Sequence, residues 1–248
     1  MLRPSFPFTF AATVEAVCLV GAEPVFADVD PVTYNLEPDS VALAWDLPGP
    51  PPVGIIAVDL FGHPAKRDEL DRLVRSHGAW LVIDGAQSFG AKRDGVSSMA
   101  SGLVATTSFY PSKPLGCYGD GGAVFCDDEA LGSVLRSIRV HGAGDEANIH
   151  ERIGLTGRLD TIQAAILLSK LTVFDEELER RREVAKRYSE ALSDLVITPT
   201  PESSIDPVWA QYTVEVERRE DVRAALTRSG IPTSVFYPHP LHSNPAYR

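Results

Sequence analysis

Cysteine is scarce: Cys18, Cys117 and Cys126 are the only three in 248 residues, odd in number and widely spaced. No C-x-x-C pair exists, which argues against zinc-ribbon and thioredoxin-type chemistry. A chain of this length buries most of the surface its unfolded form exposes, so it needs no disulfide scaffold. A reducing cytoplasm is the simplest home. Basic residues are also in deficit, with 23 Lys and Arg against 34 Asp and Glu and a net charge of -11. Without a basic surplus to neutralise phosphates, broad nucleic-acid binding is not expected, although a local anion pocket is still allowed. No apolar run approaches ~20 residues, so no transmembrane helix is expected. Pro4, Pro7 and Glu15 interrupt the N-terminal stretch, which makes a poor signal peptide. Repeats, low-complexity tracts and coiled-coil heptads are missing too. What remains is the ordinary composition of a globular protein, 44% hydrophobic and 23% charged. At ~150 residues per domain, the length suits one large domain alone or with a smaller one.

The first half alternates strand-like and helix-like segments. Val53–Leu60 is a short apolar, β-branched run. Residues 65–77 place Leu70, Leu73 and Val74 on one helical face, and Gly78 stops the helix. Ala79–Asp84 is the next buried strand. Strand, helix, strand in about 30 residues is a βαβ unit with parallel strands, and continuously apolar strands suit a sheet covered on both faces. Val104–Phe109 and Gly122–Cys126 are further strands. Val17–Asp30 reads as a helix end, a turn at Gly21 and a strand through Val25–Val29. Helices are expected over 158–171, 176–195 and 221–229. Val208–Val216 alternates like a half-buried antiparallel strand. The fold class is therefore α/β, a mostly parallel sheet with helices on both faces. The change of pattern near residue 180 divides the chain into a large domain, 1–175, and a smaller α+β region, 176–248.

Three features sit at strand ends or in glycine-rich loops, where open parallel sheets bind ligands. Asp84 closes an apolar strand and precedes GAQSFG. It either caps the next turn or meets a cation, such as a protonated pyridine nitrogen. Gln87 can then reach an oxygen on the same ring. Lys113 lies in SFYPSKPLGCYGDGG, between a strand and a loop holding Gly116, Gly119, Gly121 and Gly122. It is either a surface lysine in a turn or a desolvated amine able to form a Schiff base, and the glycines favour the second because they permit close backbone approach. Ser108 can offer a hydroxyl to a phosphate. Phe10, in PFTF, is either core or a platform for a flat ring.

Together these residues resemble the DegT/StrS family of nucleotide-sugar aminotransferases, which use pyridoxal 5'-phosphate (PLP). PFTFAATVEAVCLVGAEPVFADVDPVTYNL looks like the family's early signature, IDGAQSFGA its E-D-A-A-Q-S-x-G-A, and SFYPSKPLGCYGDGGAVFCDDEAL its lysine loop. RVHG and IGLTGRLDTIQAAILLSKL follow the later signatures. The resemblance implies fold type I, normally a homodimer with sites at the subunit interface. It makes Lys113 the Schiff-base and proton-transfer lysine and Asp84 the partner of the pyridine nitrogen. Gln87 becomes the ring-oxygen contact, Ser108 a phosphate ligand and Phe10 the stacking aromatic. The family's G-x-N-x-R places an Asn at the partner's phosphate; here Thr156 occupies that position. A dehydratase of the same superfamily would carry histidine where Lys113 stands.

The family's chains normally begin earlier, with a helix and a Gly-Ser/Thr phosphate loop, and continue past HPLHSNPAYR. A chain truncated at both ends could instead be a non-catalytic remnant or a dimerising subunit. Within the family, SFYPSKPLGCYGDGG, RLDTIQAAILLSKL and IPTSVFYPHPLH are most similar to the branch acting on UDP-2-acetamido-2-deoxy-3-oxo-glucuronate. The expected partners are thus a nucleotide-linked keto sugar and L-glutamate, in bacterial surface-polysaccharide synthesis. Arg158 is a candidate for the uronate, but Asp160 or the donor carboxylate can equally claim it. His141 and His150 can line the sugar pocket or simply be exposed. His239 and His242 do not have the spacing of a metal site.

Overall fold

The computed structural model describes residues 7–146 and 148–247, and residues 2–5 as backbone. Of the motifs quoted above, only the closing Arg248 lies outside them. Nine strands and seven α-helices are found among the described residues. The strands are β1 (Leu2–Ser5), β2 (Glu23–Phe26), β3 (Gly54–Val58), β4 (Trp80–Asp84), β5 (Lys92–Arg93), β6 (Val96–Ser97), β7 (Val104–Ser108), β8 (Gly122–Phe125) and β9 (Ile205–Asp206). The helices are α1 (Ala11–Leu19), α2 (Pro38–Ala42), α3 (Arg67–Ser76), α4 (Glu129–Ile138), α5 (Thr161–Leu171), α6 (Phe174–Leu192) and α7 (Arg219–Arg228).

The main sheet has the order β3-β4-β7-β8. Pairing is parallel for β3–β4 and β4–β7 and antiparallel for β7–β8. The connection from β3 to β4 is α3, whose register of apolar residues buries Leu70 and Val74. Asp68 and Glu69 in its first turn and Arg75 in its last complement the helix dipole. Gly78 follows at φ +62°, a conformation that glycine adopts without a Cβ penalty. Strand alternation then sorts the sheet's two faces. Ile55, Ala57, Leu81, Ile83 and Ala105 point into one core with Leu70 and Val74 of α3. Ile56, Val58, Val82, Asp84 and Thr106 line the opposite face, beneath α1. Helices thus lie on both faces.

A second core joins Ala91, Phe109, Leu115 and Cys117 to Leu167 of α5, Phe174 and Leu178 of α6, and Val208. Two sequence expectations need correction. The strand expected through 25–29 ends at Phe26. Val208–Val216 is not a strand: the Val208 and Ala210 amides donate to the Gly62 and Phe61 carbonyls, and Trp209 sits at φ +50°. Its alternation reflects docking onto a turn, and only Glu215 bridges another extended segment, at Ile197.

That docking buries His63, whose ring meets Trp209 edge-on at 4.7 Å. Burial lowers its pKa from 6.5 to about 4. Between those values the unfolded chain binds a proton that the folded chain does not, so stability is lost as pH falls through this window. The full loss is about 3 kcal/mol, since each pH unit is worth about 1.4 kcal/mol. Urea midpoints measured above and below the window should separate by correspondingly less in His63→Gln than in the parent chain. Equal separations would show that His63 titrates normally.

Candidate active site

The site grows from the carboxyl end of β4. Asp84, the last residue of that strand, lies between Val58 of β3 and Thr106 of β7. Its Oδ2 accepts from the Thr13 hydroxyl at 2.6 Å, and its Oδ1 from the Ala86 amide at 3.1 Å. Thr13 is buried in α1, so the helix above the sheet fixes the rotamer of the carboxylate below it.

Lys113 faces the same space. The Ser108–Gly122 loop turns back on itself through Lys113 N to Tyr110 O, Cys117 N to Phe109 O and Phe109 N to Gly121 O, at 2.8–2.9 Å. Gly116 is needed there, because a Cβ would come within 2.6 Å of the Pro111 carbonyl. The fold-back half-buries the Lys113 amine. Desolvation lowers its pKa, and the Asp84 charge partly opposes that shift.

A cavity of about 260 Å³ results, lined by Phe10, Thr13, Asp84, Gln87, Thr106 and Lys113 among others. Phe10 stands at its mouth, 60% exposed, as the residue before α1. Gln87 is held from two sides. Its Oε1 accepts from the Phe61 amide at 2.5 Å, and its Nε2 donates to the Tyr237 hydroxyl at 3.2 Å. The second Nε2 hydrogen remains for a ligand. Asp59 braces this loop from behind. Fully buried, it accepts from the Ser88 hydroxyl at 2.7 Å and the Ala65 amide at 2.8 Å, while burial pushes its carboxyl pKa up.

Four of the sequence-predicted residues, Asp84, Gln87, Lys113 and Phe10, therefore meet in one cavity. Ser108 lies two residues beyond Thr106 on the same face of β7, and its hydroxyl accepts from the Tyr110 amide at 3.2 Å. It does not line the cavity. Thr156, His141 and Arg158 lie elsewhere. Thr156 Oγ1 and His141 Nε2 are 2.9 Å apart across the Val140–Thr156 bridge, and His150 Nδ1 is 2.9 Å from the His141 carbonyl. Arg158 is exposed. Thr13, Asp59 and Tyr237 were not foreseen from sequence. No local pattern marks them; only the final spatial neighbourhood does. Among the described residues no group of three or more His, Cys, Asp or Glu could hold a metal, and no helix is long and apolar enough to cross a membrane.

Comparison with known proteins gives a consistent picture. The model of the DegT/DnrJ/EryC1/StrS aminotransferase family matches residues 5–248. The UDP-2-acetamido-2-deoxy-3-oxo-D-glucuronate aminotransferase of Pseudomonas aeruginosa is 47% identical over 240 residues, covering 96% of this chain and 66% of that protein. The crystal structure of a DegT DnrJ EryC1 StrS aminotransferase from Brucella abortus matches with a TM-score of 0.97 and 46% identity, covering 99% of this chain and 67% of that one. S. venezuelae DesV, solved in complex with a ketimine intermediate, matches with a TM-score of 0.92 and 37% identity, over 99% of this chain and 66% of DesV. The chain thus spans about two thirds of the length of the relatives it matches.

Proposed function

The chain belongs to the DegT/DnrJ/EryC1/StrS aminotransferase family, and from that premise we propose that it serves as a PLP-dependent aminotransferase. In this reading it moves an amino group from L-glutamate to a nucleotide-linked keto sugar. The observation that carries the proposal is the meeting of Asp84 and Lys113 in one cavity, with Phe10 at its mouth. The donor set fits PLP: a carboxylate for the ring nitrogen, an aromatic face for the ring, an amide N–H for the ring oxygen and an amine for the aldehyde. When bound, the cofactor supplies an electron sink for negative charge developing at the donor Cα.

The protein's own groups do the rest. Asp84, oriented by Thr13 and the Ala86 amide, holds a proton on the ring nitrogen. Lys113, its pKa lowered by desolvation and partly restored by the Asp84 charge, would be the group that takes the proton from the donor Cα. Gln87, clamped by Phe61 and Tyr237, would offer its remaining amide hydrogen to the ring oxygen. Phe10 would cover one face of the ring from the cavity mouth.

UDP-2-acetamido-2-deoxy-3-oxo-glucuronate is the proposed sugar, supported by the name of the Pseudomonas relative, with surface-polysaccharide synthesis in the cytoplasm as the setting. A homodimer is part of the proposal. Ile153, Leu155, Ile162 and Leu168 are apolar and well exposed, an arrangement suited to a second copy. Thr156, His141 and Arg158, remote from their own cavity, would then serve the partner's phosphate and sugar. Sedimentation equilibrium should return twice the chain mass; a monomer at all concentrations would remove that part.

The experiment for the whole reading is a half-reaction. The protein incubated with PLP should turn yellow, and borohydride should bleach the colour and leave the label on Lys113. In a separate sample not treated with borohydride, L-glutamate alone should yield 2-oxoglutarate in an amount matching the sites. A colourless protein that leaves glutamate unchanged would overturn the proposal.

A further inference from the structure

The Lys113 loop is held in place by a helix that contributes nothing to the cavity itself. Lys170, in the last turn of α5, donates from Nζ to the Gly116 carbonyl at 2.5 Å, and its ammonium lies 4.9 Å from the centre of the Tyr118 ring. Two turns earlier, Gln163 Oε1 accepts from the Tyr118 amide at 2.8 Å. The same side chain sits where a Cβ on Gly119 would approach Nε2 at 3.2 Å. Between them, Leu167 packs into the second core with Leu115 and Cys117 of the loop. Residues 163, 167 and 170 are spaced four and three apart, so they form one stripe on α5. That stripe grips the loop at positions 115–119, two to six residues beyond the reacting amine.

We propose that Lys170 and Gln163 are positioning residues: they clamp the glycine-rich loop against the sheet and so keep the Lys113 amine in its dry setting facing Asp84. This rests on the reading of Lys113 as the reacting amine. The loop is rich in glycine and lacks regular structure of its own, so its closed form is entropically costly and depends on outside contacts. A cationic donor on a backbone carbonyl and an amide acceptor on a backbone N–H are contacts of the required kind. Around the amine, the charge of Asp84 on β4 acts on it. Thr13 of α1, Phe10 just before it, Thr106 of β7 and the Gln87 amide share its cavity uncharged.

The test reads the amine without cofactor or turnover. The intact chain is trace-labelled with acetic anhydride across the amine's titration range, and acetylation of Lys113 is followed by mass spectrometry. Lys170→Met removes the donor and the charge, Lys170→Arg keeps both, and Gln163→Leu removes the acceptor without changing charge. Loosening the loop hydrates the amine and raises its pKa. Labelling on the acidic side of the titration should therefore fall about tenfold for each pH unit of that rise, in Lys170→Met and in Gln163→Leu, and return in Lys170→Arg. A fall in Lys170→Met alone would mark a pure charge effect and overturn the clamp; unchanged labelling in both variants would do the same. If Lys170→Met loses its far-UV circular dichroism, Gln163→Leu decides the outcome. Failure of the aminotransferase reading would show separately, as a parent chain whose Lys113 is never fixed to PLP by borohydride.

Discussion

Replacing Lys113 with alanine should abolish borohydride-fixable PLP and lower the rate of the glutamate half-reaction by about 10⁴-fold or more, because in the proposed function one side chain supplies both the covalent anchor and the proton carrier. The cavity keeps Asp84, Gln87 and Phe10, so the variant should still take up PLP non-covalently. Added methylamine should restore part of the rate if the defect is the missing amine. The pH profile carries a matching expectation. Desolvation lowers the Lys113 pKa, so the free-amine limb of the rate should lie on the acid side of an ordinary lysine, with the rate rising as the amine loses its proton. A Lys113→Ala protein that still fixes PLP, or a limb at the usual lysine position, would remove the role assigned to this residue.

Asp84→Asn should have the second-largest effect. The change keeps shape and removes charge, so the fold should survive while the ring nitrogen loses the carboxylate that holds its proton in the proposed function. Removing an oriented electrostatic partner from a desolvated site typically costs about 10²–10³ in rate. The expected readout is a slowed half-reaction with near-normal thermal stability, because the Thr13 hydroxyl can still donate to the retained oxygen. A variant that unfolds, or one with parent-like rates, would contradict this.

The βαβ unit from β3 to β4 was readable nearly residue by residue, since two apolar runs, an amphipathic helix and Gly78 all specify the same local answer. The cavity was partly readable, because Asp84 and the Lys113 loop sit at strand ends. The rest depends on distance along the chain. Thr13 meets Asp84 across 71 residues, Tyr237 meets Gln87 across 150, and Lys170 meets Gly116 across 54. Nothing local about a threonine in ATVEAV says that its hydroxyl will find a carboxylate. Val208–Val216 misled for the converse reason: its alternation is real, but the partner is a turn at Phe61 and Gly62 rather than a strand.

Tyr237 reaching Gln87, together with the Leu241 amide donating to the Pro7 carbonyl at 2.7 Å, has a consequence for biosynthesis. The pocket's rim thus joins segments that lie far apart along the chain. A nascent chain still tethered to the ribosome short of residue 241 can build its parallel strands but cannot seal the chamber. The chamber should therefore close only after residue 241 has emerged from the ribosome.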